Sequence, residues 1–478
     1  MLKKINYVLD RRQKVHLIIL LFIIFVGAFV ELLGVSAILP VVNIALTPEV
    51  IDEKWYLVLI RDKIGLVSAN QIIIFLAAII IIIYIFKNLY ITFMYSQQYR
   101  FIFENQRKLA TKLLECYMHQ KYQFHVSKNV AELQRNVTAD VNGFYTVVLY
   151  VLQFLAEISV CVVLVVYLAV EDLMTTIVVA ALVIAFILFF FGFFKRVLVK
   201  KGEENRWYTV VVSKWVLQAF SGIKEIKVTN AENFFVKNYN ENYKKCTTIQ
   251  RQQSMLTFMP RPIMETVCIC GLLLAVIIKM AGDNSDITSF IPTLTVFAVA
   301  AFRMLPSFNR ITGYMGGIMF NKPSIDAIYK DLKEIEILLK EQEQEEQDSI
   351  EIKVENSIQV ENVSFRYPEN DRWILEHANL TIQKNTSVAF IGSSGAGKTT
   401  LADLILGLFE PIEGRVTVDG MDIQDHMKSW HECIGYIPQN IYLMDDTIKA
   451  NITFGIAQET IDEDKLKLAI KEAQLEDL

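Results

Sequence analysis

Long apolar runs fill the first two thirds of the chain and then cease. A membrane-spanning helix needs about 20 mostly apolar residues, and six runs meet that length. They are Leu17–Val42, Ile72–Tyr95, Val147–Val170, Leu173–Val199, Met255–Met280 and Ile287–Phe320. The links between the second and third runs and between the fourth and fifth are too long for turns. Both links keep a helical period, so the spans are predicted to continue beyond the apolar zone as paired stalks. The stalk pairs are expected to turn near Tyr122–Lys128 and near Gly222–Asn230. After about Glu341 the pattern becomes that of an ordinary soluble domain. "SVAFIG" reads there as a buried strand and "TTLADLILGL" as a helix.

Composition agrees with that division. The chain has 478 residues, is 53% hydrophobic and has a mean hydropathy of +0.34, which is apolar for a soluble protein of this length. The net charge of -5 says little, but its distribution sets a direction. Arg100, Arg107, Lys108, Lys112, Lys121, Lys128 and Arg135 crowd one long link, and Lys195, Arg196, Lys200, Lys201, Arg206 and Lys214 lead the other. The short links carry Glu171, Asp172, Asp283 and Asp286. Basic loops stay in the cytosol, so both termini and both long links are expected there, in a bacterial inner membrane. The stretch Thr47–Asn70, with Trp55 and Tyr56, then faces outward, as an interfacial amphipathic helix or as a mixed-charge loop. Lys3, Lys4, Arg11, Arg12 and Lys14 before the first run resemble a signal peptide, but the run outlasts a typical h-region and is expected to be retained. Cys116, Cys161, Cys246, Cys268, Cys270 and Cys433 imply no disulfide framework. Cys268 and Cys270 have metal-pair spacing but sit in an apolar helix without a second pair, so they are expected to pack.

The chemistry is concentrated in one loop. Gly392, Ser393, Ser394, Gly395, Ala396, Gly397, Lys398 and Thr399, followed by Thr400, match G-x-x-x-x-G-K-[ST]. Glycines let backbone N–H groups turn inward around phosphates. Lys398 is placed to reach the β- and γ-phosphates, Thr399 to ligate Mg²⁺, and the helix that follows to aim its positive end at the anion.

With "FRYP" at 365–368, "EGRVTVDGMDI" at 413–423 and "IGYIPQNIYLMDDTIKANITFG" at 434–455, this loop resembles the nucleotide-binding domain of ABC transporters of the exporter type. The six preceding spans resemble that family's membrane domain. The likeness implies an all-α six-helix transmembrane domain over residues 1–320, a linker over 321–356 and an α/β P-loop nucleotide-binding domain over 357–478. It implies that Tyr367 stacks on adenine and that Gln439 reaches Mg²⁺ and the attacking water, making Lys398 and Gln439 catalytic. It also implies that the two inner turns are coupling helices, and that the unit is a homodimer driven by ATP with Mg²⁺. The family's signature segment, its aspartate–glutamate strand and its switch histidine do not follow Gln439. The nucleotide domain is therefore expected to be truncated and, alone, unable to position the γ-phosphate and water.

The cargo is less sharply written. Arg261 lies in "MPRPIME", and Arg303 and Arg310 lie seven apart on one helix face. An arginine at mid-bilayer costs about 2.5–3.5 kcal/mol on insertion scales, so such residues face a cavity or a partner. Two readings stay open: a guanidinium cluster for an anionic group, or arginines near the membrane edge, snorkelling or paired with Glu31, Glu157 or Glu265. "FVELLGVSAILPVV", Pro260–Arg261 and "FRMLPSFNRI" resemble flippases for lipid-linked oligosaccharides, which implies diphosphate contacts by all three arginines. Multidrug, lipid and peptide exporters share the architecture, and a membrane-anchored nucleotide-binding fragment without transport is the alternative of another class. The acidic run "EQEQEEQD" reads as a solvated tether and helix end. The sequence carries no nucleic-acid signature, metal cluster or nucleophile constellation.

Overall fold

Ser68 marks where the second apolar run becomes helix. Its hydroxyl accepts from the amide of Gln71, whose side chain returns to the Ser68 amide, a reciprocal cap. Such local starts build a computed structural model that describes residues 1–37, 68–171, 173–263, 287–345, 352–368, 370–439 and 441–475, with scattered residues between 38 and 67 and between 264 and 286. The chain divides into two compact units, Met1–Gln344 and Glu345–Leu478.

The first unit is helical. In chain order its main helices are α1 (Leu2–Val8), α2 (Arg11–Ser36), α3 (Ala69–Met118), α4 (Tyr122–Ser127) and α5 (Val130–Arg135). A π-helical turn, Asn136–Asp140, then leads into α6 (Val141–Glu171), α7 (Leu173–Ser221), α8 (Ile223–Thr229), α9 (Glu232–Phe258) and α10 (Ile287–Glu345). Among the described residues, three stretches are long and apolar enough to cross a membrane: Arg11–Gly34, Asn70–Met118 and Val130–Tyr167. They overlap the first three expected spans: Ile72–Tyr95 lies wholly within the second stretch, whereas Leu17–Val42 and Val147–Val170 were expected to run past Gly34 and Tyr167. The side chains of much of α7 and of the first part of α10 lie outside the described residues, as does most of the second half of the fifth expected span. So do Trp55, Tyr56 and Cys268.

The stalks extend as the helical period predicts. α3 has 50 residues, about 75 Å of helix at 1.5 Å per residue, more than twice a ~30 Å hydrocarbon core. α7 runs on to Ser221. The two expected turns are themselves short helices, α4 and α8, the latter ended by Asn230 at φ 53°. Ile74, Ile81, Ile82, Phe86 and Leu89 all point outward from α3. In water such a face would be costly; against lipid tails it is not. Toward the stalks the packing turns inward, where Leu20, Ile24, Phe101, Leu113, Phe144, Tyr145, Leu152, Ile325 and Ile328 share one buried cluster.

The second unit carries a four-stranded sheet ordered β2–β1–β3–β4, from β1 (Ser357–Phe365), β2 (Leu375–Gln383), β3 (Glu413–Val418) and β4 (Met421–Asp422). All three pairings are antiparallel. α11 (Lys398–Ile405) and α12 (Met427–Glu432) bury Leu404 and Trp430 with Val360, Val363, Phe365, Phe409, Val416 and Val418. The Trp430 indole N–H donates to Ile405 O at 2.9 Å. α13 (Ile448–Ile452) and α14 (Glu463–Glu472) begin at capping side chains, Thr447 and Asp462.

One expectation fails here. "SVAFIG", which reads as a buried strand, joins no sheet among the described residues, and Ile391 is 93% exposed. The segment around Tyr436 and Ile437 is likewise unpaired and exposed. Apolar, β-branched sequence supplies the propensity for a strand but not the neighbour whose amides and carbonyls complete it.

Candidate nucleotide site

The phosphate loop is built by two left-handed glycines. Gly395 has φ +80° and Gly397 φ +83°, a region closed to most side chains. At Gly397 a Cβ would also lie 3.1 Å from Leu375 Cδ2 and 3.2 Å from Ile374 O, so the turn is pressed onto the start of β2. Gly397 then caps α11, and its carbonyl accepts from Leu401 N at 2.8 Å. Within the loop Ala396 N donates to Ser393 O at 3.2 Å. Among the described residues, no hydrogen bond uses the amides of Gly395, Gly397 or Lys398. The Lys398 ammonium donates to Gly392 O at 2.9 Å and to Ser393 O at 2.8 Å, so it lies folded over the loop. Free amides, a helix N-terminus and one ammonium converge, which is the donor set a polyphosphate requires. Thr399 is exposed beside it, and Thr400 is buried.

Tyr367 stands close by. Its hydroxyl is 3.2 Å from Thr400 Oγ1. Its ring meets Phe365 and Phe409 edge-on at 5.3 and 5.5 Å. The residue expected to stack on a base is thus half-buried, and it is positioned by the loop's own helix. Gln439 is exposed on an irregular segment, and no hydrogen bond among the described residues joins it to the loop. A hydrogen bond thus ties Tyr367 to the helix that follows the phosphate loop. Ser393, Ser394 and Ala396 form the exposed rim.

The three arginines of the first unit part ways. Arg261 is exposed, just past α9. The side chain of Arg303 lies outside the described residues. Arg310 is held by Glu157: Nε donates to Oε1 at 2.5 Å and Nη2 to Oε2 at 3.2 Å. Of the three carboxylates considered as partners for the arginines, Glu31 instead takes a lysine. Lys87 Nζ is 3.2 Å from Glu31 Oε1, with both side chains nearly buried. A lone lysine inside an apolar run was a readable signal for this pair, because such a charge needs a partner.

The sequence reading also missed a polar hub in the stalks. Asp140, 2% exposed, closes the π-helical turn. It accepts from Arg135 Nε at 2.9 Å, from Arg206 Nε at 3.1 Å and from Ser324 Oγ at 2.9 Å, so α5, α7 and α10 meet on one carboxylate. Next to it Asn136 donates to Tyr117 and Asp331, and the Tyr117 hydroxyl donates to Asp331. Apart from Arg135 with Asp140 and Asn136 with Tyr117, these partners are 66 to 214 residues apart, too far for local spacing to reveal. Among the described residues no cluster of His, Cys, Asp and Glu could hold a metal ion.

Comparison with known proteins adds names to this geometry. Residues 375–478 match the ABC transporter family. An uncharacterized ABC transporter ATP-binding protein, YfiB, of Bacillus subtilis is 36% identical over 28% of this chain and 24% of its own length. The ATP-dependent lipid A-core flippase of Cupriavidus pinatubonensis is 23% identical over 77% of this chain and 62% of its own. That of Desulfotalea psychrophila is 28% identical over 59% and 47%. The chain spans between about a quarter and three fifths of the length of these relatives. Apolar helices thus precede the phosphate loop in one polypeptide, and the segment that holds most of that loop's domain, residues 375–478, matches the ABC transporter family.

Proposed function

We propose that this chain is one subunit of an ATP-driven ABC exporter that flips a lipid with a phosphorylated headgroup from the inner to the outer leaflet. The observation that carries the reading is the loop from Gly392 to Thr399, with its uncommitted amides and its ammonium, in the same polypeptide as helices long and apolar enough to span a bilayer. Lys398 and the amides of Gly395 and Gly397 hold the phosphates. Thr399 offers its hydroxyl to Mg²⁺, Gln439 assists from the side of the water, and Tyr367 offers a ring to the base. When bound, the triphosphate supplies the free energy for closure of two such subunits. α4 and α8, with Tyr122, Val126, Ile223 and Val228 exposed, are the elements that carry that closure to the spans. The working unit is a homodimer in the bacterial inner membrane, with the nucleotide domains in the cytosol.

A polyprenyl-diphosphate-linked oligosaccharide is the first cargo we assign, with Arg261, Arg303 and Arg310 toward its diphosphate. A lipid A core is the second, favoured by the lipid A-core flippases among the relatives. Both present phosphate to a guanidinium. The test is flipping of each lipid in proteoliposomes by the full-length transporter, with Mg-ATP. Wild type should flip one of them, and Lys398→Ala should abolish it. Flipping of neither lipid by wild type, or full flipping by Lys398→Ala, would contradict the reading.

A further inference from the structure

We propose that Glu157 is the resident counter-ion of Arg310, a specificity-determining carboxylate that a lipid phosphate must displace. This rests on the reading of Arg310 as a headgroup contact. The geometry is that of an occupied anion site. Nε and Nη2 of Arg310 meet the two oxygens of Glu157 side by side, the fork-to-fork arrangement that guanidinium also makes with phosphate. Ser307 Oγ, fully buried, accepts from Nη2 at 3.4 Å. No bond among the described residues uses Nη1. The burial is lopsided: the Glu157 side chain is 7% exposed and that of Arg310 40%. The cation therefore has an open side and the anion does not. Tyr95 and Tyr314 lie within electrostatic reach of the guanidinium, and the Tyr150 and Tyr314 rings are 5.7 Å apart. These give hydroxyl donors and flat faces suited to a phosphorylated sugar. Both charged residues sit about ten residues from the inner ends of their expected spans, roughly 15 Å of helix, which is half of a ~30 Å core.

An arginine left alone at that depth would be unfavourable, and a carboxylate removes the penalty. The same carboxylate competes with any arriving anion. A lipid phosphate carries more charge and can approach from the open side, so it can take the fork. Glu157 then remains buried and unpartnered, and that cost is subtracted from the affinity. The grip is strong enough to select a phosphate and weak enough to release it. Removing the competitor must therefore tighten binding, whereas removing a merely structural partner would loosen it.

The experiment measures affinity in detergent, on the full-length protein, for geranylgeranyl diphosphate, for bisphosphorylated lipid A and for uncharged geranylgeraniol. Glu157→Gln should bind one or both phosphate lipids about ten-fold tighter than wild type, since one charge-assisted hydrogen-bonded partner is worth about that factor, with geranylgeraniol unchanged. The lipid whose affinity rises is the source of the phosphate. Arg310→Gln should lose about ten-fold for the same lipid. Should Glu157→Gln not fold, Glu157→Asp draws the carboxylate back by one methylene at constant charge and should tighten binding a few-fold. Unchanged or weaker phosphate binding in the folded Glu157 variant overturns the counter-ion proposal alone, as does equal tightening for geranylgeraniol. Arg310→Gln with wild-type affinity overturns the underlying assignment of Arg310 as well.

Discussion

Gly397 holds φ +83° while pressed against Ile374 and Leu375, so a methyl group there meets both backbone strain and a neighbour. Gly397→Ala should cost about 1–3 kcal/mol of local stability and open the phosphate loop. Mg-ATP affinity should then fall far more than the thermal midpoint of the protein; nucleotide titration beside a melting curve checks this. Asp419 is another residue whose role is local. Its carboxylate accepts from the amides of Glu355, Asn356 and Ser357 at 2.6, 3.0 and 2.8 Å. The Ser357 bond leads in holding its pKa below the ordinary 3.8. A depressed carboxylate contributes stability that is fully present above its unfolded pKa and is lost as the pH falls through the folded one. Asp419→Asn should therefore melt below wild type at pH 7, and the gap should close as the pH is lowered through and beneath 3.8. Melting curves in detergent at stepped pH test the sign. At this scale the loop was legible because its chemistry is contiguous: six of its residues lie within Gly392–Gly397, and Lys398 follows. The placement of Tyr367 by Thr400 was not legible, since that hydroxyl pair is 33 residues apart.

Helix length and turn position followed from the apolar period, and α3, α4, α7 and α8 lie where it puts them. What the period could not disclose is how the helices are fastened to one another. Asp140 ties α5, α7 and α10 from a single buried oxygen pair. Close approaches at glycines run alongside: a Cβ at Gly202 would collide with Phe320 O, and one at Gly143 would stand 2.7 Å from Ser324 Oγ. Asp140→Ala would take from the Arg135 guanidinium its buried carboxylate at 2.9 Å and leave it only the more exposed Glu132 at 3.3 Å. Breaking such a pair from one side costs about 3–5 kcal/mol, so the helical unit should melt markedly lower. Asp140→Asn keeps hydrogen-bonding capacity and should lose less. Equal melting of Asp140→Ala and wild type would remove the hub from the account. The strand at "SVAFIG" shows the opposite limit. Its sequence has the right propensity, yet pairing is a property of two segments, and no partner lies beside it among the described residues.

At the scale of the molecule, two units of opposite solvent preference share one chain. The first turns apolar side chains such as Ile74, Ile82 and Leu89 outward along α3, and the second buries Phe365, Leu404 and Trp430 around an antiparallel sheet. That contrast was readable from hydropathy alone, and with the phosphate loop it already pointed to a membrane device fuelled by a nucleotide. The charges inside the apolar zone were only half readable. Arg310 with Glu157 was one of several open pairings, whereas Lys87, alone in its apolar run, signalled the need for a partner without saying that it would be Glu31 of α2. The central claim is that the amides of Gly395 and Gly397, with Lys398, seize a triphosphate. The most direct test is equilibrium binding of Mg-ATP to the purified chain in lipid nanodiscs, with Lys398→Ala as its control. Saturable binding that weakens at least about ten-fold in Lys398→Ala, the loss of one charge-assisted contact, is the predicted result. Equal affinity in the two proteins, or no binding by wild type, would contradict it.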